Sequence, residues 1–88
     1  MVLALHFATK RVRQSLHDFP VWIQRKFEDS LSFLRRNPFA GKRLTGKLSS
    51  YWSMCVTHSC RILYTFDSET LCVHKIRDVL RHGPGPRL

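Results

Sequence analysis

Positive charge concentrated in the middle of the chain is the first feature that could do chemistry. No Asp or Glu occurs between Ser30 and Phe66. The cationic side chains of that stretch are Arg35, Arg36, Lys42, Arg43, Lys47 and Arg61. A stretch of one sign suits phosphate contacts, because each contact releases counterions from a nucleic acid. With Lys and Arg totalling 15 against 6 acids, and a formal net charge of +9, the sequence favours a nucleic-acid partner over a merely soluble basic surface.

Histidine supplies the side chains that could move protons near neutral pH. His58 falls in a turn, His74 in a strand and His82 near the end of the chain. Taken singly, each is explained as well by a structural or merely exposed histidine.

The cysteines indicate a reduced protein without a metal. Cys55, Cys60 and Cys72 are odd in number and fall in strands, unlike the framework of a secreted disulfide protein. Together with His58 and His74 they match no paired-ligand spacing for zinc, and strand cysteines are commonly small buried groups. We expect no metal or other cofactor. The apolar start of the chain is too short for a signal peptide, and no run approaches a membrane span, so we expect a cytoplasmic protein.

Two helices are expected to follow a short N-terminal strand. Residues 2–7 are apolar and predict the strand, and residues 9–16 have the spacing of a short amphipathic helix. A longer helix begins near Pro20 and ends at Asn37, because the residue before Pro38 is pushed out of the helical region. Its apolar positions recur at spacings of four, four and three residues and are Ile23, Phe27, Leu31 and Leu34.

After Gly46 the apolar period changes to two, which predicts strands. The alternating apolar positions are Trp52, Met54 and Val56, then Ile62, Tyr64 and Phe66, then Leu71 and Val73. Residues 57–59 and 67–69 join these strands as turns. The sequence therefore predicts one α+β domain over residues 1–82, in which two helices cover one face of an antiparallel sheet of three to four strands. Residues 83–86 alternate Gly and Pro, and residues 83–88 are expected to form a flexible tail.

Four short segments, in this order, resemble one protein family. They are Asn37-Pro38-Phe39 at the helix end, the KRLTGKL segment of residues 42–48, Tyr51-Trp52-Ser53, and the VTHSCRILY segment of residues 56–64. The RelE/ParE superfamily of bacterial and archaeal toxins shows a similar proline-terminated helix, a K-x-L-x-G-x-L lead and a hairpin ending Y-R-I-L-Y. The resemblance extends from the first helix to about Ile76. It implies the toxin of a type II toxin–antitoxin system.

The resemblance also implies a reaction. Family members with nuclease activity bind the ribosomal decoding site and cut mRNA, and a cognate antitoxin covers their concave basic face. Cleavage needs no metal: the ribose 2′-OH attacks the adjacent phosphate, so the protein supplies a base, an acid and positive charge. Arg61 matches the arginine that opens the strand after the hairpin, and a guanidinium holds two phosphate oxygens at once. From the pattern alone, an ion pair of Arg61 with Asp67 or Glu69 is an equal alternative.

Lys42, Arg43 and Lys47 in the glycine-containing loop, with Arg35 and Arg36, are expected to bind the RNA backbone and to set affinity. Two departures from the family affect catalysis. Where the family prototype has sheet lysines, this chain has Trp52-Ser53-Met54. Where many relatives have glycine and a second histidine near the end, it has Arg77 and Val79. His74 and His82 are left as the acid and base candidates.

These departures keep two other functions open. One is inhibition of DNA gyrase in the manner of ParE, without RNA cleavage. The other is a weakened toxin that only binds its antitoxin. Induced DNA damage would distinguish the first from mRNA cleavage, and expression without a growth defect would indicate the second.

Overall fold

The computed structural model describes residues 2–78 of the chain, with the side chain of Asp78 excluded. The helices are α1 (Lys10–Ser15) and α2 (Val21–Arg36). The strands are β1 (Ala4–Phe7), β2 (Lys42–Arg43), β3 (Trp52–Cys55), β4 (Cys60–Phe66) and β5 (Thr70–Asp78). Short 3-10 turns occupy Leu16–Asp18, Pro38–Ala40 and Gly46–Leu48.

The strands form one five-stranded sheet in the order β1-β5-β4-β3-β2. The pairs β2–β3, β3–β4 and β4–β5 are antiparallel, and β1 runs parallel to β5 with Leu5 opposite Leu71. The predicted α+β architecture, with an N-terminal strand and two helices before an antiparallel meander, is thus confirmed. The sheet has five strands, more than the three to four predicted. The chain passes from β1 through both helices before the meander, so that β1 pairs with β5 in parallel. β2 has only two residues, too few to show an alternation in sequence.

The core lies between α2 and one face of the sheet. Phe27, Leu31 and Leu34 of α2 are buried there, as their spacing predicts. They belong to one cluster with the sheet residues Cys60, Ile62, Tyr64, Leu71 and Val73. Because strand side chains alternate, the residues between these buried ones point to the other face of the sheet.

The ends of α2 follow from its prolines. The Pro20 carbonyl accepts hydrogen bonds from the backbone N–H groups of Ile23 and Gln24, both at 3.0 Å, and the helix begins at Val21. Pro20 itself has extended backbone angles, so it precedes the first turn instead of lying within it. At the other end, Asn37 leaves the helical region before Pro38, as predicted.

Tyr64 connects the sheet to the loop after α2. Its hydroxyl donates to the Pro38 carbonyl at 2.7 Å and accepts from the Gly41 N–H at 3.1 Å. A Cβ on Gly41 would overlap with the Tyr64 hydroxyl and lie 2.8 Å from the Ser53 carbonyl oxygen. Glycine is therefore required at this position for the loop to approach the sheet, and the loop leads directly into Lys42.

Two predictions lie outside the described residues. They are the flexible tail at residues 83–88 and the role of His82. None of the helices described between residues 2 and 78 is long and apolar enough to cross a membrane.

Candidate functional site

The sheet face turned away from the helices, here called the open face, carries the candidate site. The alternation of the strands and their register assign to it Ala4, His6, Lys42, Ser53, Cys55, Arg61, Leu63, Thr65, Cys72, His74, Lys75 and Arg77. None of these residues is acidic. The open face therefore presents positive charge without an internal counter-charge.

Arg61 lies at the centre of this charge. It is exposed near the start of β4, opposite Cys55 of β3 on one side and opposite Arg77 of β5 on the other. Like charges directly opposite one another on neighbouring strands destabilise a sheet. An anion bound between Arg61 and Arg77 would offset this repulsion, so the pair is suited to a phosphate.

A bulge in β5 adds a further cation to the open face. Leu63 pairs with Lys75 and Tyr64 pairs with Val73, which leaves His74 without a partner in the ladder. Strict alternation from buried Leu71 and Val73 would direct Lys75 into the core. Because the bulge inserts one residue, Lys75 instead shares the open face with Leu63 and Arg61.

His74 is held by two contacts on the same face. Its Nε2 lies 2.8 Å from the Thr65 hydroxyl, within hydrogen-bonding distance. The Tyr51 ring meets the imidazole edge to face, with centroids 5.1 Å apart and an interplanar angle of 88°. When Nε2 donates to Thr65, Nδ1 carries the lone pair that a general base requires. His74 is displaced from Arg61 by two to three residues along the strand direction, or roughly 7–10 Å, and lies on the neighbouring strand, about 4.8 Å to the side.

The loop after α2 contributes Lys42. A shallow pocket on the open face is lined by Gly41, Lys42, Ser53, Cys55 and Arg61, with Ala40, Leu44 and Met54. The structure thus brings Lys42 together with Arg61. Arg43 points away from the open face, because it is the neighbouring residue in β2, and its Nε donates to the Ser49 carbonyl at 2.9 Å. Lys47 is exposed in the following 3-10 turn.

The arginines at the end of α2 are not part of the open face. Arg35 is half-buried, and its Nε donates to the Leu3 carbonyl at 2.7 Å, so it links the helix to the N-terminal segment. Arg36 is exposed at the last position of the helix. Their assignment to RNA binding stays a prediction, and any RNA that they contacted would lie on the helix side of the sheet.

The alternative ion pair of Arg61 with Asp67 or Glu69 is excluded by the register. Arg61 is near one end of β4 and the turn of Asp67 is beyond the other, roughly 20 Å away at about 3.3 Å per residue. The Asp67 carboxylate accepts two hydrogen bonds, from the backbone N–H groups of Glu69 and Thr70, each at 2.8 Å. These bonds hold the pKa of Asp67 below its usual value.

Lys75 and Arg77 were missed as site residues by the sequence analysis. The alternation that predicted β5 was followed only through Leu71 and Val73, so it gave no position for Lys75, and Arg77 was noted only as a departure from the family. The sequence signal that could have identified them is that two basic residues, Lys75 and Arg77, follow the alternating apolar residues Leu71 and Val73. It could not be interpreted without the bulge and the pairing of Arg77 with Arg61.

Metal ligands do not assemble among residues 2–78, where no three His, Cys, Asp or Glu side chains are grouped. Cys55, Cys60 and Cys72 are free thiols. Burial raises the pKa of Cys72, which favours its protonated form on the open face.

Comparison with known proteins found no matching family model and no matching curated protein. Solved structures are similar over almost the whole chain. A chain of the toxin–antitoxin complex RelBE2 from Mycobacterium tuberculosis is 26% identical with a TM-score of 0.76, over 89% of this chain and 92% of that one.

Two further structures share the fold. The YoeB/ParE toxin from Agrobacterium tumefaciens is 23% identical with a TM-score of 0.72, over 86% of this chain and 98% of its own. A mutant of the E. coli toxin RelE in the free state is 14% identical, also with a TM-score of 0.72, over 93% and 88% respectively. These similarities show that the chain has the fold of RelE-like toxins, the family that the segments of its sequence resemble.

Proposed function

We propose that the protein is a ribosome-dependent endoribonuclease toxin that cleaves mRNA without a metal ion and is inhibited by a cognate antitoxin. The observation that carries the proposal is the open face, on which Arg61 lies opposite Arg77 and near Lys75 and Lys42, with no acid among them. A surface that holds four cations without counter-charge suits the crowded negative charge of a phosphate under attack.

The reaction follows from these groups. The ribose 2′-OH loses its proton to a base and attacks the neighbouring phosphorus, and the bond from phosphorus to the 5′-oxygen of the next nucleotide breaks. The products are a 2′,3′-cyclic phosphate and a 5′-hydroxyl, which takes a proton from an acid. Arg61 and Arg77 hold the phosphate oxygens, and His74 supplies the acid or base through its ring nitrogen. His82 is proposed as the second proton-transfer group.

The expected antitoxin is an acidic protein that covers the open face. Several similar structures are toxin–antitoxin complexes, including RelE–RelB from Pyrococcus horikoshii OT3 and DinJ–YafQ from E. coli. A net charge of +9 on a chain of this size gives such a partner a large electrostatic attraction. Its binding would displace RNA by occupying the same cations.

The test is mRNA cleavage in a purified translation system that contains ribosomes, with the end groups of the fragments identified. We expect the protein to cut mRNA, and Arg61→Ala to lower the rate by about 10²–10³-fold, as loss of an oxyanion-stabilising group does. Arg61→Lys should recover only part of the rate, because an ammonium cannot bind two oxygens in a plane. Arg25→Ala, which removes an exposed arginine of α2, is the matched control and should cleave normally.

An Arg61→Ala protein that is folded and cuts mRNA at the normal rate would refute the role of Arg61. Absence of cleavage by the unaltered protein, with inhibition of DNA gyrase in a supercoiling assay, would replace the proposal with a ParE-like function. A 5′-phosphate in place of the 5′-hydroxyl on the downstream fragment would refute attack by the ribose 2′-OH.

A further inference from the structure

We propose that a second basic surface, on α1, binds the sugar–phosphate backbone of double-helical RNA. This surface, here called the α1 ridge, consists of Lys10, Arg13, Gln14 and His17, with His6 of β1 beside it. It goes beyond the proposed function, because it needs neither cleavage nor Arg61.

The helix geometry lines these side chains up. Lys10, Arg13, Gln14 and His17 are spaced by three, one and three residues, so they share one side of α1 and of the turn that follows it. All of them are exposed. At about 1.5 Å per residue they form a row of roughly 10 Å. The opposite side of the helix, with Val12 and Leu16, packs against the core.

The ridge is strongly basic in sequence, and its nearest acid is Asp18, directly after His17. No Asp or Glu occurs from the start of the chain to His17, whereas Lys10, Arg11 and Arg13 are all cationic. Two adjoining shallow grooves run along it, one lined by β1 and α1 and the other by α1 with His17. Both are lined by Lys10 and Arg13, which marks these two residues as the centre of the surface.

The ridge is distinct from the candidate site. β1 is an edge strand, and β5 lies between it and the β4 strand that carries Arg61. Two strand spacings of about 4.8 Å separate β1 from β4 by roughly 10 Å. α1 starts beyond the end of β1, where the Ala8 N–H donates to the Val73 carbonyl at 2.9 Å. A nucleic acid on the ridge would therefore flank the open face without filling it.

The chemistry of the ridge favours RNA over a protein partner. Protein interfaces are centred on buried aromatic or large apolar side chains. The exposed large apolar residues of the described chain all lie elsewhere and are Val2, Val21, Trp22, Phe33, Phe39 and Leu48. The ridge also has no exposed Phe, Tyr or Trp on which the bases of a single strand could stack. A surface made chiefly of cations and an amide suits the backbone of a duplex.

The test measures binding of the full chain to a fluorescent RNA duplex of about 16 base pairs by anisotropy at several salt concentrations. The variant is Lys10→Gln with Arg13→Gln. Its matched control is Arg25→Gln with Lys26→Gln, which removes the same charge from exposed positions of α2. We expect the α1 double variant to bind the duplex about tenfold more weakly. The slope of log affinity against log salt concentration should fall by about two, because two phosphate contacts are lost. The α2 control should change both the affinity and the slope much less.

Each other outcome would overturn the proposal. Equal losses for the two pairs would mean that net charge alone attracts RNA, and no loss for the α1 pair would mean that the ridge is not in contact with it. Equal affinity for a single strand of the same length would refute the preference for a duplex. If poly-L-glutamate of the same total charge as the duplex displaced it equally well, the ridge would be assigned to an acidic protein partner. These readouts do not depend on whether Arg61 supports cleavage, so the two proposals fail separately.

Discussion

The hydroxyl of Tyr64 holds the loop that delivers Lys42 to the open face, and its removal tests how much that connection stabilises the protein. Tyr64→Phe deletes one oxygen and keeps the ring in the core, where Tyr64 is fully buried. Two hydrogen bonds are lost, to the Pro38 carbonyl and from the Gly41 N–H. Both backbone groups are then left without a partner in a partly buried place.

The magnitude follows from these two bonds. A hydrogen bond contributes about 1 kcal/mol net, and a buried group left unsatisfied costs about 1–3 kcal/mol. Because water can reach a partly buried loop, we expect a loss of about 2 kcal/mol in the free energy of unfolding. For a domain of this size about 1 kcal/mol lowers Tm by roughly 4–8 °C, so Tm should fall by roughly 8–16 °C.

Urea denaturation and thermal melting, both followed by circular dichroism, measure this loss. Tyr51→Phe is the control, because the Tyr51 hydroxyl has no hydrogen bond with residues 2–78, and it should change stability little. A loss below about 0.5 kcal/mol for Tyr64→Phe would refute the reasoning.

Burial also raises the pKa of Tyr64 above its usual value of 10.0. Stability should therefore fall as the pH rises through the pKa of the folded state, and Tyr64→Phe should remove that alkaline loss.

Three further predictions concern the core, the loop and one turn. Phe27→Ala should cost about 3–5 kcal/mol in urea denaturation, because its side chain is completely buried, and a loss below about 1 kcal/mol would contradict its place in the core. Gly41→Ala should lower Tm and shift the Tyr64 resonances in NMR spectra, since its Cβ would overlap with the Tyr64 hydroxyl; unchanged spectra would show that the loop is elsewhere. Asp67 has a lowered pKa, so its contribution is present above the unfolded pKa and is lost as the pH falls through the folded one. Asp67→Asn keeps an acceptor without a charge and should flatten the stability profile below about pH 5; an unchanged profile would contradict the carboxylate's role.

Much of the fold is predictable because its signals are local. The spacing of Phe27, Leu31 and Leu34 identifies the buried side of α2, and Pro38 ends the helix by a steric effect on its neighbour. The alternation of Ile62 and Tyr64 in β4 likewise identifies the buried face of the sheet. Each of these properties depends on residues within one or two turns of chain, so the sequence is sufficient for them.

The pairing of strands depends on residues far apart in the chain, and it decides the candidate site. The sequence by itself determined that the chain is strongly basic, that it is an α+β domain, and that Arg61 begins a strand on the face opposite the core. Only the tertiary structure placed Arg77 opposite Arg61 and joined β1 to β5. It also placed a bulge at His74, which puts Lys75 on the open face, where strict alternation from Val73 would have buried it. The physical reason is that alternation fixes a side chain's face only within an unbroken ladder, and a single inserted residue reverses it for the rest of the strand.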